Sequence, residues 1–113
     1  MHAIQVRGTG RVEVPAYGLA DAEHQVQKEI RAAWPESHVD VLEVGRPGGA
    51  ARIVEDFAVT YRITGTLHVA EPTPAAAERE AFRLLRARFD GTRYHQVRWE
   101  RIPSPGSPTS DAG

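Results

Sequence analysis

The chain of 113 residues has no cysteine, no asparagine, one methionine and one lysine. The lack of cysteine removes disulfides, a thiolate nucleophile and any cysteine-ligated zinc or iron–sulfur site, and it leaves the redox compartment undecided. No apolar run approaches the roughly 20 residues needed to cross a bilayer. Met1-His2-Ala3-Ile4 passes directly into a strand pattern without a charged and then apolar leader, so a cytoplasmic protein with no membrane partner is expected. Charge of one sign is also missing. A formal net charge of −1 gives no overall attraction to phosphate-rich surfaces and argues against a nucleic-acid partner, although a basic patch stays open. The thirteen arginines that stand against Lys28 fit a high-GC coding bias better than a function.

What is present suits a folded domain. Hydrophobic residues make up 41% and charged residues 26%, well away from the composition of disordered chains, and the length fits one core rather than two. Residues 1–102 are therefore expected to form a single domain. After Ile102 the run Pro-Ser-Pro-Gly-Ser-Pro-Thr-Ser-Asp-Ala-Gly has nothing to bury, and 103–113 is expected to be a disordered tail.

Ile4 and Val6, then Val12 and Val14, alternate around Gly8 and Gly10. This pattern predicts either a strand with a bulge or bend at the glycines or a hairpin turning at Thr9. Leu19, Ala22, Val26, Ile30, Ala33 and Trp34 form one helical stripe that Pro35 ends. In 38–44 the strand parity breaks between Val41 and Leu42, so apolar groups face both ways or a bulge intervenes. Gly45 to Arg52 reads as a mobile hairpin tip. Its glycines and arginines would suit a phosphate cradle only at a helix N-terminus, and this segment joins two strands. Residues 53–69 give the clearest strand, with Phe57, Val59, Tyr61, Ile63, Leu67 and Val69 on one face and Asp56, Thr60, Arg62, Thr64, Thr66 and His68 on the other.

Thr73-Pro74 predicts a helix start, the hydroxyl capping free amides and the proline sitting where no donor is needed. The helix runs to about Phe89 on a stripe of Ala77, Ala81, Phe82, Leu84 or Leu85, and Phe89, with Gly91 as a left-handed stop. Residues 94–102 predict a last strand with Val97 and Trp99 inward. Overlaying the halves 57 residues apart matches Gly8-Thr9, Val12 and Pro15 to Gly65-Thr66, Val69 and Pro72. The order β-α-β-β-α-β with right-handed crossovers then predicts an α+β, ferredoxin-like plait: a four-stranded antiparallel sheet ordered 4-1-3-2, with two helices on one face.

The other face is where a site is expected, and the candidate ligand-binding residues on it are Arg7, Thr60, Arg62, Thr64, His68 and Arg98. No nucleophile–base pair or carboxylate dyad emerges from the spacing, so no catalytic residue is assigned. Histidines 2, 24, 38, 68 and 95 form no helical or strand pair of the kind that ligates metal, so neither a metal site nor a cofactor is expected. His24 reads as solvated, and His38 and His95 as strand-start residues that satisfy loop amides. Stacking of bases on the sheet would need exposed aromatics, but Phe57 and Tyr61 share the buried parity.

Val6-Arg7-Gly8-Thr9, a single amphipathic helix, His38 to Val44, and Phe57-Ala58-Val59 in a long strand together resemble the dodecins, small flavin-binding proteins that assemble as dodecamers. The resemblance covers residues 4–69. It implies a small self-associating sheet-and-helix module, but it places the family's flavin-stacking tryptophan at Val41 and its flavin-contacting glutamine at Ala58, so neither contact is kept. The leading expectation is a self-associating, non-catalytic module that binds a small organic ligand or a partner, most simply a homo-oligomer. One alternative is a cofactor-independent oxygenase- or cyclase-type enzyme using Arg62 or His68, which rests on fold analogy. The other is a single-stranded nucleic-acid binder using Arg7, Arg62 and Arg98.

Overall fold

The computed structural model describes residues 1–45 and 53–103. Its elements are β1 (His2–Ala16), α1 (Leu19–Ala33), β2 (His38–Gly45), β3 (Glu55–Val69), α2 (Pro74–Phe89) and β4 (Arg98–Arg101). The strands form one open antiparallel sheet ordered β2-β3-β1-β4, the expected order read from the opposite edge. Of the expected 45–52 tip only Gly45 is described, as the end of β2, and of the expected 103–113 tail only Pro103.

β1 and β3 are long and pair without interruption from His2 opposite Val69 to Ala16 opposite Glu55. This corrects the bulge, bend or hairpin predicted around Gly8 and Gly10, because β1 is one continuous strand whose inward positions stay even from Ile4 to Ala16. The glycines mark close packing instead. A Cβ on Gly8 would lie 2.6 Å from the Trp99 ring and 2.5 Å from Val97, and one on Gly65 would lie 2.5 Å from the Trp34 ring. Gly8 sits opposite Ile63 and Gly65 opposite Val6. The repeat therefore places two glycine slots on either side of the Arg7–Thr64 pair, each filled by one indole.

The remaining core follows from parity. Val6, Val14, Phe57, Val59, Tyr61 and Ile63 join Ala22, Val26, Ile30, Ala77, Ala81, Leu85 and Phe89 in one cluster. Leu84 and Phe82, offered by the stripe, are only half-buried, and Leu19 is exposed. Thr73 caps α2 as predicted, its Oγ1 accepting from Ala76 N–H at 3.1 Å, and Gly91 takes the left-handed φ of 83°. In β2 the register slips between Val41 and Glu43, the bulge that the parity break at Leu42 anticipated; Leu42 is half exposed there.

The last strand is shorter than predicted, because residues 90–96 form turns and only Arg98–Arg101 pair with β1. A buried aromatic in those turns explains why. Tyr94 packs edge-on against Tyr61 at 5.5 Å, and its hydroxyl donates to Glu29 at 2.5 Å, which Arg93 also engages at 2.6 Å. Glu29 is thus held by two donors from the turn. Burial acts to raise its pKa, but the bonds from Arg93 and Tyr94 outweigh that and leave it below its usual value of 4.5.

Two outcomes are expected. Gly65→Ala should cost about 1–3 kcal/mol in urea unfolding, because the buried Trp34 ring has to move, whereas Gly45→Ala, whose Cβ would meet only ordinary contacts at 3.6 Å and beyond, should stay within about 0.5 kcal/mol. For Glu29, whose folded pKa is depressed, the linked stability is present above pH 4.5 and is lost as pH falls through the lower folded value. Glu29→Gln should therefore flatten the acid limb of a stability-versus-pH curve while changing its neutral value less than Tyr94→Ala does.

Candidate functional site

The open face of the sheet is a set of charged and hydroxyl-bearing rows fixed by strand register. Glu100, Arg7, Thr64 and His38 lie across one row, and Arg98, Thr9, Arg62 and Asp40 across the next. Arg7 is ion-paired with Glu100. Asp40 receives Arg62 at 3.4 Å through one oxygen and His38 at 3.1 Å through the other. Thr60 faces Arg11 on β1 and Glu43 on β2. Of the expected arginines, Arg7 and Arg62 are therefore already engaged by carboxylates, and Arg98 has no ion-pair partner among the described residues.

A concavity of about 690 Å³ lies at one end of this sheet, within the size range of small-ligand sites. Its origin is the unequal length of two neighbours. β2 begins at His38, opposite Thr64, while β3 continues to Val69, so Gly65–Val69 have β1 on one side and no strand on the other. The concavity wraps this bare edge. On the open-face side it is lined by Gln5, His38, Thr64, Thr66 and His68, and on the helix side by Trp34, Leu67, Leu84, Glu36 and Arg88.

The structure therefore brings two expected residues, Thr64 and His68, into one site. It leaves Arg62 linked to that site only through Asp40 and His38, and it leaves Arg7 and Thr60 on the two central strands and Arg98 on the edge strand β4, outside the concavity. Arg62 and His68 are six residues apart on one strand, about 20 Å, so they do not act on one small substrate together. His38 does not satisfy a loop amide, as expected of it, but bonds Asp40. His95 is in the turn rather than at a strand start, and its Nδ1 lies 2.8 Å from the Thr92 carbonyl. The positions that the dodecin resemblance assigns to flavin contacts fall on opposite faces: Val41 packs against the core and Ala58 lies on the open side.

Glu36, Leu84 and Arg88 were not anticipated. Leu84 carried a signal, since the α2 stripe gave two leucines and the one not buried in the core had to face something else. Arg88 and Glu36 carried none, because their role depends on where β2 starts. A smaller cavity of about 310 Å³ is lined by Glu29, Thr92, Arg93 and Tyr94, which bond to one another and hold the turn.

Among the described residues no three His, Asp or Glu side chains gather as a metal would require, and no helix is long and apolar enough to cross a membrane. Tyr61, buried beside Gly10, stays protonated because burial pushes its pKa up to about 12. Compared with protein-family models, curated proteins and solved structures, the chain matches none. The site has to be read from its own chemistry.

The open-face ion pairs are half exposed, and pairs of that kind contribute little to folding. Asp40→Ala, which releases both Arg62 and His38, is expected to change unfolding free energy by no more than about 1 kcal/mol. It should also disturb the amide resonances of His38 and Thr64 in an NMR spectrum.

Proposed function

We propose that the chain is a self-associating, non-enzymatic binding module of the ferredoxin-like plait type, and that a small organic ligand or a segment of a partner enters the concavity around the end of β3. The observation that carries the reading is the concavity itself. It offers an apolar wall from Trp34, Leu67 and Leu84, and a polar wall from Gln5, Thr64, Thr66 and His68, the mixture that small-ligand sites use for affinity and orientation. Binding is favoured over turnover because, of the two residues that the enzyme reading offered as alternatives, Arg62 is held by Asp40 outside the concavity, and His68 has no side-chain partner among the described residues to form an acid–base pair. A nucleic-acid reading finds Arg7 and Arg62 already paired and, among the described residues, no aromatic at an open-face position of the four strands.

Self-association is supported by a second observation at the opposite end of the β1–β3 ribbon. Ala16 faces Glu55 there, and the residues next to that pair along the chain, Tyr17, 75% exposed, and Val54 and Ile53, 42% and 83% exposed, stand in water. Apolar groups left in water favour a copy or partner that covers them.

Two measurements test the proposal. In a 15N-labelled sample titrated with indole, benzoate and N-acetyl-leucine amide, the expected shifts gather at Thr64 to His68, His38, Leu84 and Arg88. Shifts centred on Thr60 and Arg98, or none at millimolar probe, would remove the binding reading. Native mass spectrometry is expected to give a dimer or larger species that Ile53→Asp drives toward monomer, and monomer alone in the unaltered chain would remove self-association.

A further inference from the structure

The bare end of β3 is more than the wall of a pocket, because the direction of its backbone groups can be worked out. In an antiparallel pair, directly opposed residues either exchange both backbone hydrogen bonds or point both sets away from each other. Gln5 directs its carbonyl to the β4 side, where it accepts from Ile102 N–H at 2.8 Å. Its partner across the ladder, Thr66, therefore turns its own N–H and C=O away from β1. His68, two residues on and opposite Ala3, does the same. Beside them β2 has not yet begun. Two residues thus present donor and acceptor pairs to a vacant strand position, and the concavity of about 690 Å³ occupies that position on both faces of the sheet.

The vacancy is closed at one end. A chain lying in it meets His38, the first residue of β2, at the level of Thr64, so it has to stop there. An occupant antiparallel to β3 runs toward Thr64, and what stops there is its C-terminus. A cation is available on that wall. Arg88, in the last turn of α2, has no carboxylate within ion-pair distance among the described residues, and its guanidinium reaches only the Ala33 carbonyl, at 3.5 Å. Ala33 directly precedes Trp34, whose ring lies against Gly65. Alternate side chains of the occupant would point to the helix side, against Leu67 and Leu84.

We propose, resting on the binding reading above, that the partner is the extended C-terminal peptide of another protein. It adds as a strand beside Thr66 and His68, sets apolar side chains at alternate positions against Leu67 and Leu84, and gives its terminal carboxylate to Arg88. Main-chain pairing of this kind supplies affinity, and the alternate pockets supply selectivity. The run 103–113 does not suit the role, because it holds no large apolar side chain to set against Leu67 and Leu84.

The test is a library of eight-residue peptides with free C-termini, screened against the full chain, with the best binders remade as C-terminal amides. The expected result is binding that slows amide exchange at Thr66 and His68 by at least tenfold. Amidation should weaken affinity at least tenfold, and Arg88→Gln should weaken the free-acid peptide by a similar factor while erasing the difference between acid and amide. Equal binding of acid and amide, unchanged exchange at Thr66 and His68, or no binder in the library would overturn the proposal. In that event, small-probe shifts at the same residues would still leave the ligand-binding reading standing, whereas their absence would end both. Arg88 is exposed, so its replacement is not expected to unfold the chain; a retained NMR spectrum checks this.

Discussion

The fold depends on two indoles set into two missing side chains. Trp34 fills the slot at Gly65 and Trp99 the slot at Gly8, and the two rings meet edge to face at 6.1 Å, with Phe89 5.6 Å from Trp99. Nothing larger than glycine leaves room for them, and a smaller ring would leave voids, which close-packed interiors tolerate poorly. The arrangement ties the end of α1 to β3 and the start of β4 to β1. It therefore fixes where both outer strands join the two central ones.

The site is a consequence of that fixture. With Trp34 held at Gly65, the chain passes Pro35 and Ser37, whose hydroxyl donates to the Trp34 carbonyl at 2.7 Å, and reaches the sheet edge at His38 opposite Thr64. β2 cannot begin earlier. β3, long enough to match β1, runs on to Val69, and the mismatch is the vacancy. The Glu29–Arg93–Tyr94 cluster lies outside it, and of the open-face ion pairs only His38–Asp40 reaches its rim, through His38.

Much of the fold was legible because it rests on period and punctuation. The alternation from Phe57 to Val69, the helical stripes, the Thr73-Pro74 cap, the Gly91 stop and the parity break at Leu42 each have one local cause that the sequence displays. Gly8 and Gly10 were misread because a glycine in a strand signals either a bend or a close approach, and only the distant Trp99 and Tyr61 decide between them. The short β4 was missed for a similar reason, since Tyr94 looks like a strand residue until its partners Tyr61 and Glu29 are known. The site was half legible. Thr64 and His68 stand out by facing, but His38, Leu84 and Arg88 join them only through register and helix packing, which no local pattern carries.

Hydrogen exchange of the free chain, residue by residue along β3, tests the central claim most directly. With the edge vacant as described, the amides of Gly65 and Leu67, which face β1, should exchange slowly, while those of Thr66 and His68 should exchange orders of magnitude faster. Protection of Thr66 and His68 equal to that of Leu67 would contradict it.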